Sequence, residues 1–156
     1  KHENLIFLES RLSQISNLVK YSRQQNKKVF MHVDLIQGLK VDDYGLEYLI
    51  NNIKVDGIIS TRGNVISTAK KHKLIGIQRL FAIDSHALDH NLKICKNVQP
   101  DYIEVLPGVI PDVLKQVNEE TGIPVIAGGL IRSKDDVDSA LKNGAVAVTT
   151  SNKELW

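Results

Sequence analysis

The stretch DYIEVLPGVIPDVLKQVNEETGIPVIAGGL, residues 101–130, decides which fold the chain adopts. It begins with a β-rich run, Asp101–Leu106, and ends with a second one, Pro124–Leu130. Apolar residues recur between the two runs at helical spacing, at Val113, Leu114 and Val117. Pro111 suits the first turn of a helix, and Gly122 suits the position just past its end. Because two strands of one sheet that a helix connects run parallel, the stretch predicts one unit of a parallel α/β sheet.

The same alternation of strand and helix continues over the whole chain, and a β-rich run starts about every 24 residues. The seven runs are Asn4–Glu9, Lys28–Ile36, Asp56–Thr61, Ile75–Ile83, Asp101–Leu106, Pro124–Leu130 and Ala145–Ser151. Two architectures have this rhythm, an open doubly wound sheet and a closed (β/α) barrel.

Ligand motifs separate the two architectures. An open sheet usually binds its ligand at a glycine-rich turn after the first strand, and the chain contains neither a G-x-G-x-x-G nor a P-loop pattern. The sequence therefore predicts a TIM-like (β/α) barrel. Since such a barrel has eight strands and seven are visible, we expect one further βα unit upstream of Lys1.

The composition indicates a folded protein, and the length predicts a single (β/α)-barrel domain over residues 1–156. With 42% hydrophobic and 24% charged residues, the chain falls outside the disordered and collagen-like classes. Its one cysteine, Cys95, cannot form an internal disulfide, and we expect it to be a small buried residue. That cysteine usage suits a reducing cytoplasm. No run of about 18 apolar residues occurs, so we expect no membrane span.

The charges are unevenly distributed although the net charge is only +2. Residues 11–79 carry 12 Lys and Arg against 5 Asp and Glu, whereas residues 101–156 carry 5 against 9. The cluster Lys70–Lys73 ends a predicted helix, where cations meet the negative end of the helix dipole. We interpret that cluster as a solvated helix end rather than as a dedicated binding patch.

Residues suited to binding a phosphate group follow the last two predicted strands, between which TIM barrels commonly bind phosphate. Glycines let backbone N–H groups come close to an anion, and hydroxyl groups add further donors. The candidate phosphate ligands are Gly128, Gly129, Thr149, Thr150 and Ser151. A tight turn without a ligand is the alternative for the two glycines.

A helix is expected to contribute to the same site. Ser151 and Glu154 form an S-x-x-E capping box, so the sequence predicts a helix that starts at Asn152. Its free amides and positive dipole end would face the bound anion. Basic side chains are few in these loops, which favours recognition of a phosphomonoester by backbone amides and hydroxyls.

Four polar residues within the predicted strands are candidates for binding the rest of the ligand. His32 and Asp34 alternate with apolar neighbours in one run, so the period of two predicts both on the face toward the barrel mouth. Arg79 and Glu104 are charges within apolar strands, and adjacent strands would let them pair. The pair could be an internal ion pair that orders the barrel, or it could hydrogen-bond ligand hydroxyls.

A metal site at His32, Asp34 and Glu104, or at Asp84-Ser85-His86, is chemically conceivable because carboxylates and imidazole ligate Mg²⁺ and Zn²⁺. No HExxH or paired-cysteine spacing supports it. Residues 84–86 suit the cap of the following helix equally well. We therefore predict no metal site and no cofactor.

Six ordered blocks resemble the glycerol uptake operon antiterminator family. The blocks are His32–Gly38, Asp56–Arg62, Ile77–Phe81, Asp101–Gly108, Ala127–Ile131 and Ala147–Lys153. The similarity runs from about Asn4 to Trp156 and departs from the family mainly in lacking its first strand and helix.

The resemblance implies a cytosolic TIM-like barrel that senses glycerol 3-phosphate, binds the leader of a glycerol-catabolic messenger RNA and promotes transcription antitermination. It implies a regulator and no enzyme. The five phosphate candidates would then hold the phosphate, and His32, Asp34, Arg79 and Glu104 would bind the glycerol hydroxyls, the latter set following from strand phase. Arg62, beside a strand end in the basic half, is a weak candidate for contacting RNA.

Two other functions are compatible with these residues. The barrel could be an enzyme acting on a small phosphate ester, a metal-dependent phosphodiesterase or a sugar-phosphate isomerase, with Glu104 or Asp34 as general base and His32 as acid. It could also be a ligand-binding module that acts through protein contacts. Charge alone does not predict RNA binding, since no RRM, KH or aromatic stacking motif is present.

Overall fold

Nine strands and six helices make up the part of the chain that the computed structural model describes, residues 2–156. The strands are β1 (Asn4–Phe7), β2 (Ser10–Arg11), β3 (Lys28–His32), β4 (Ile36–Gln37), β5 (Gly57–Ser60), β6 (Ile75–Phe81), β7 (Tyr102–Leu106), β8 (Val125–Gly128) and β9 (Ala145–Thr149). The helices are α1 (Leu12–Gln24), α2 (Asp43–Tyr48), α3 (Gly63–Lys71), α4 (Ser85–Val98), α5 (Pro111–Thr121) and α6 (Lys134–Lys142). Three single turns add to these, the 3₁₀ turns Val33–Leu35 and Lys153–Leu155 and the π-helical turn Leu49–Ile53.

Seven of the strands form one sheet whose order follows the chain, β1-β3-β5-β6-β7-β8-β9. The neighbours β1 and β3, β3 and β5, β7 and β8, and β8 and β9 pair in parallel. One or more helices separate each strand of this sheet from the next. The chain therefore has the TIM-like α/β fold that its sequence predicts.

Each of the seven predicted runs contains one strand of the large sheet, and the helix boundaries predicted at Pro111 and Gly122 are confirmed. Pro111 is the first residue of α5, and Gly122 ends that helix in the left-handed conformation at φ 66°. Ser133 and Asp136 approximate a capping box in the sequence, and in the structure Ser133 caps α6 with that box complete. These signals are local, which is why the sequence alone predicts them.

Two predicted elements are wrong in extent. The strand starting at Lys28 ends at His32, because the chain turns through Val33–Leu35 and then forms β4. Strands β2 and β4 pair as a separate two-stranded sheet, which the sequence did not predict. The helix expected to start at Asn152 is only the three-residue turn Lys153–Leu155.

The chain divides into two compact units, of which the first ends at Ile77 and the second is Gln78–Trp156. In the first unit, α1 packs on β3 and α3 packs on β5. The inner side chains of these elements are fully buried, among them Ile15, Met31, Ile58 and Ile66. The single domain predicted from the length stays a prediction.

The second unit has its own apolar core. Leu80, Ile103, Leu114 and Val125 are each 0% exposed within one cluster to which strands β6 to β9 and helices α4 to α6 contribute. Cys95 belongs to this cluster, and burial raises the pKa of its thiol to about 11. The expectation of a buried cysteine is confirmed.

Among residues 2–156, the structure contains no helix that has both the length and the apolar surface needed to cross a lipid bilayer.

The second core predicts a large difference between two isoleucine truncations. Ile103 is 0% exposed, whereas Ile83 is 80% exposed. We expect Ile103→Ala to lower the free energy of unfolding by about 2–5 kcal/mol, because it removes buried methyl groups and leaves a cavity. Ile83→Ala, the matched control, should change it by no more than about 0.5 kcal/mol. Urea denaturation checks both values, and equal losses would contradict this assignment of the core.

Candidate functional site

The loops that follow β8 and β9 lie side by side in the second unit. The two strands pair with Gly128 opposite Thr149. Beyond the strand ends, the Thr150 hydroxyl donates to the Ile131 carbonyl at 2.9 Å, and the Asn152 side-chain amide donates to the Arg132 carbonyl at 3.1 Å. The sequence-predicted phosphate residues of both loops are therefore brought together.

The backbone after β8 turns through two consecutive left-handed residues. Gly129 has φ 75° and Leu130 has φ 62°. A non-glycine residue in this region costs of order 1 kcal/mol or more, and such strain concentrates at binding sites and turns. Successive residues of unusual handedness can also curve the backbone so that neighbouring N–H groups converge on an anion.

Gly128 has no room for a side chain. A Cβ atom there would lie 2.6 Å from Thr149 Oγ1 and 2.8 Å from Glu104 Oε1. Gly108, which follows β7, contacts the end of β8, because its backbone N–H donates to the Gly128 carbonyl at 2.6 Å. A Cβ atom on Gly108 would lie 2.7 Å from Gly128 N. The carboxyl ends of β7, β8 and β9 thus meet at backbone contact.

Glu104 is the central charged group of this region, and its side chain is 5% exposed. One carboxylate oxygen accepts a hydrogen bond from Thr149 Oγ1 at 2.9 Å, and the other lies 3.6 Å from Arg79 Nε. The expected pairing of Arg79 with Glu104 is present, at a distance longer than a hydrogen bond. The Arg79 guanidinium also lies over the Phe81 ring, 5.0 Å from its centroid.

Burial raises the pKa of Glu104, because removal from water penalises the carboxylate more than its partners stabilise it. The hydrogen bond from Thr149 and the charge of Arg79 both act in the opposite direction. The site therefore holds a buried acid whose charge is incompletely compensated.

The hydroxyl groups of the two threonines are already used within the protein. Thr149 donates its proton to Glu104, and Thr150 donates to Ile131 while its oxygen accepts from Asn152 N at 3.1 Å. Ser151 is exposed. A phosphate contact from either threonine hydroxyl as donor therefore requires its present hydrogen bond to be exchanged.

A short turn follows β9 where the sequence predicts a helix. Asn152, not Ser151, caps the 3₁₀ turn, and its side-chain oxygen accepts from Glu154 N at 3.1 Å. The Asn side chain forms this local turn in competition with the S-x-x-E pattern. Over Lys153–Leu155 the structure has a 3₁₀ turn in place of the predicted α-helix, so the prediction of a helix that starts at Asn152 is wrong for these residues.

The first unit places its predicted residues in a second polar cluster. Asp34 Oδ2 accepts from Ser60 Oγ at 2.6 Å, and Asp34 Oδ1 accepts from Arg62 Nε at 2.9 Å. The Arg62 backbone N–H also donates to Ser60 Oγ at 3.1 Å. His32, at the end of β3, is 2% exposed. The strand phase that put His32 and Asp34 on one face is wrong, because Asp34 lies in the 3₁₀ turn after the strand.

Within residues 2–156, no group of three or more metal-ligating side chains is arranged to hold an ion. Asp84 caps α4 by accepting from Ala87 N at 2.8 Å, with Ser85 as the first helical residue. Residues 84–86 thus form a helix cap, but the prediction that Ser85 accepts the backbone N–H bonds is wrong, because Asp84 does so.

Sequence reasoning missed two residues and one hydrogen bond of these clusters. Ser60 ends β5 and carries the same signal as the other candidates, a polar residue closing an apolar strand. Gly108 follows β7 and had no signal beyond its size. The bond between Thr149 and Glu104 joins residues 45 positions apart, and no local pattern indicates it.

The raised pKa of Glu104 predicts a specific pH dependence of stability. The folded protein binds this proton at higher pH than the unfolded chain, so the associated stability is full below the ordinary pKa of 4.5 and is lost as pH rises through the raised value. Glu104→Gln cannot ionise and should lack this dependence. The free energy of unfolding of Glu104→Gln minus that of wild type should therefore increase with pH across that window. Loss of the carboxylate beside Arg79 adds a difference that does not change with pH.

Urea denaturation over a series of pH values measures the effect, with the exposed Glu47→Gln as control. Parallel pH profiles for wild type and Glu104→Gln would contradict the raised pKa.

Known proteins with similar sequences and structures identify the family of this chain. The family model "Glycerol-3-phosphate responsive antiterminator" matches residues 1–156. The Escherichia coli (strain K12) protein YgcP, described as uncharacterized, is 37% identical over 142 residues, which are 91% of this chain and 74% of YgcP.

Two crystal structures are similar over nearly the whole chain. The glycerol uptake operon antiterminator regulatory protein of Listeria monocytogenes is 50% identical with a TM-score of 0.95, covering 98% of this chain and 83% of its own. A glycerol uptake operon antiterminator-related protein of Thermotoga maritima is 28% identical with a TM-score of 0.90, covering 99% and 87%. With its fold, its paired strand-end loops and a match over residues 1–156, this chain belongs to the glycerol-3-phosphate responsive antiterminator family.

Proposed function

We propose that this chain senses glycerol 3-phosphate, binds the leader of a glycerol-catabolic messenger RNA and promotes transcription antitermination. The family membership supports the regulatory class. The observation that carries the ligand assignment is the meeting of the β8 and β9 loops at Gly128 and Thr149, linked beyond the strands by the bond from Thr150 to Ile131. The proposal requires no cofactor and assigns the chain no turnover, and its RNA partner places the function in the cytoplasm.

The phosphate group of the ligand is proposed to bind to these loops. The backbone amides of Gly128 and Gly129 approach from one loop, and Thr149, Thr150 and Ser151 approach from the other. The left-handed turn at Gly129 supports this assignment because it lets backbone N–H groups converge. Neutral donors suffice for a phosphomonoester when several of them converge on it.

The glycerol hydroxyls are proposed to bind charged groups near the strand ends. In the second unit, Glu104 offers carboxylate oxygens as acceptors and Arg79 offers N–H donors, and the two lie 3.6 Å apart. At that separation neither group saturates the other, so both keep hydrogen-bonding capacity for a hydroxyl. His32 and Asp34, which lie in the first unit, stay predictions from the sequence.

Ligand binding is proposed to act by shifting a population. An anion at the β8 and β9 loops competes with Glu104 for the Thr149 proton, so the bound state exchanges hydrogen bonds that the free state has. RNA then binds the ligand-bound state more tightly than the free state. Only a difference in RNA affinity between the two states produces a response to ligand. The excess of basic residues over 11–79 supports attraction to RNA. The contact of Arg62 with RNA stays a prediction from the sequence, because its guanidinium already pairs with Asp34.

Substitution of Gly128 tests the ligand site. Gly128→Ala introduces a Cβ 2.6 Å from Thr149 Oγ1 and should abolish the stabilisation of the protein by glycerol 3-phosphate. For wild type, ligand at a hundredfold excess over its dissociation constant should add about 2.7 kcal/mol to the free energy of unfolding. Gly122→Asn is the matched control, since Gly122 has φ 66° and a Cβ atom there would meet no neighbour within 4 Å.

Thermal shift with glycerol 3-phosphate, glycerol and inorganic phosphate gives the measurement. A full ligand response in Gly128→Ala would place the phosphate elsewhere.

Binding of the leader transcript tests the regulatory step. We expect filter binding to show tighter association of the full chain with a glycerol-operon leader RNA when glycerol 3-phosphate is present. The coupling between allosteric sites is typically about 5–150-fold, and a response in that range would fit a population shift. Equal affinity with and without the ligand would refute sensing, and turnover of a phosphate ester by the purified chain would favour an enzyme.

A further inference from the structure

The strands of the first unit begin side by side, and this brings three helix-to-strand loops together. Lys28 N donates to the Glu3 carbonyl at 2.8 Å, and Asp56 N donates to the Val29 carbonyl at 2.9 Å. Ile75 N donates to the Asp56 carbonyl at 3.4 Å. The loops that precede β3, β5 and β6 are therefore neighbours at the amino-terminal edge of these strands.

These three loops and the adjoining last turn of α3 carry a group of lysines that we name the basic edge. Its members are Lys27, Lys28, Lys54, Lys71 and Lys73. All except the half-buried Lys27 are exposed. The acidic residue within the loops, Asp56, is already engaged, because its carboxylate accepts from Val29 N at 2.8 Å and lies 3.5 Å from Arg23.

Within the described part of the chain, four of the five lysines of the basic edge form no ion pair, and the fifth, Lys27, donates to the His2 carbonyl. Over residues 2–156, no ion pair engages Lys28, Lys54, Lys71 or Lys73. At the other end of the same strands, Arg62 is paired with Asp34. The first unit thus presents unpaired positive charge at its amino-terminal edge.

Two of these lysines occupy backbone positions that favour glycine. Lys54 has φ 62° and Lys73 has φ 61°, both in the left-handed region that ends a helix. In the second unit, the residues that end α4 and α5 in the same conformation are Gln99 and Gly122, which carry no charge. Lysine at such a position is strained relative to glycine, and strained residues concentrate at functional sites.

An exposed aromatic residue precedes this surface along the chain. Tyr21 is 67% exposed in the last turn of α1, the helix that leads into Lys27 and Lys28. Its carbonyl accepts from Gln25 N at 3.3 Å, which ties it to the start of the loop. Exposed aromatic rings beside lysines let unpaired bases stack while the cations bind the phosphates.

We propose that the basic edge is the surface through which this chain binds the phosphate backbone of RNA, with Tyr21 as a stacking platform. The inference rests on the proposed function and gives its RNA partner a place on the molecule. It also revises the interpretation of Lys70–Lys73 as a merely solvated helix end. Each lysine that neutralises a phosphate releases a counterion, so binding here is dependent on salt.

A double substitution separates charge from folding. Lys54→Gly with Lys73→Gly removes two charges and places glycine where the backbone is left-handed, so the melting temperature should be retained or raised. With a single-strand slope of about 0.7 per phosphate, RNA affinity at about 0.1 M KCl should fall about 25-fold, and the slope of log affinity against log salt should decrease by about 1.4. The RNA affinities of wild type and the double variant should become equal at about 1 M salt.

Three further variants complete the design. Gln99→Gly is the matched backbone control, because it removes a left-handed side chain without changing the charge. Lys93→Gln removes an exposed lysine from the middle of α4, outside the basic edge. Both should bind RNA as wild type does. Lys28→Gln with Lys71→Gln removes two charges at ordinary backbone positions and should reproduce the loss of affinity.

Fluorescence anisotropy of the full chain with a glycerol-operon leader transcript and with a poly(U) 30-mer, each over a series of KCl concentrations, gives the affinities. If wild type binds RNA and both double variants bind with unchanged affinity and salt slope, the basic edge is not the RNA surface and the proposed function stands. If wild type binds neither RNA, both the proposed function and the basic edge fail. Glycerol 3-phosphate should stabilise the double variants as it stabilises wild type.

Discussion

Parallel pairing of strands in chain order is the constraint on which the other features depend. Because the strands of the large sheet are joined by helices that return the chain to the start of the next strand, strand-to-helix loops gather at carboxyl ends and helix-to-strand loops gather at amino ends. In the second unit this arrangement joins the loops after β8 and β9. In the first unit it joins the loops before β3, β5 and β6. Residues far apart in sequence thereby become two chemically different surfaces.

Burial makes the carboxylate of Glu104 energetically unlike one on the surface. Within β7 it is nearly inaccessible to water, and its partners are a threonine hydroxyl at 2.9 Å and an arginine at 3.6 Å. A buried carboxylate with one hydrogen bond and a distant cation costs free energy, so it contributes little to stability by itself. Gly128 makes the arrangement possible, because a side chain there would occupy the space between Glu104 and Thr149.

The sequence predicts the fold well and the candidate site in part. Strand and helix periods, Pro111, Gly122 and the Ser133 capping box are local signals, and all of them correspond to the structure. The extent of the strand after Lys28 was overestimated because Asp34 and Leu35 continue its alternation into a 3₁₀ turn. The short helix after Asn152 was overestimated because the Asn side chain forms a local turn instead. In both cases a side-chain or turn preference outweighed a pattern of similar strength.

By itself the sequence determined the order of elements, the TIM-like fold class and the residue types near the strand ends, since these follow from short-range periodicity and capping chemistry. Only the tertiary structure decided which of those residues are partners: Thr149 with Glu104, Arg62 with Asp34 and Ser60, and the lysines of three separate loops along one edge. Such contacts join residues from different strands and loops. Their geometry depends on how the strands pair and where each strand ends, and neither is encoded in a local stretch of sequence.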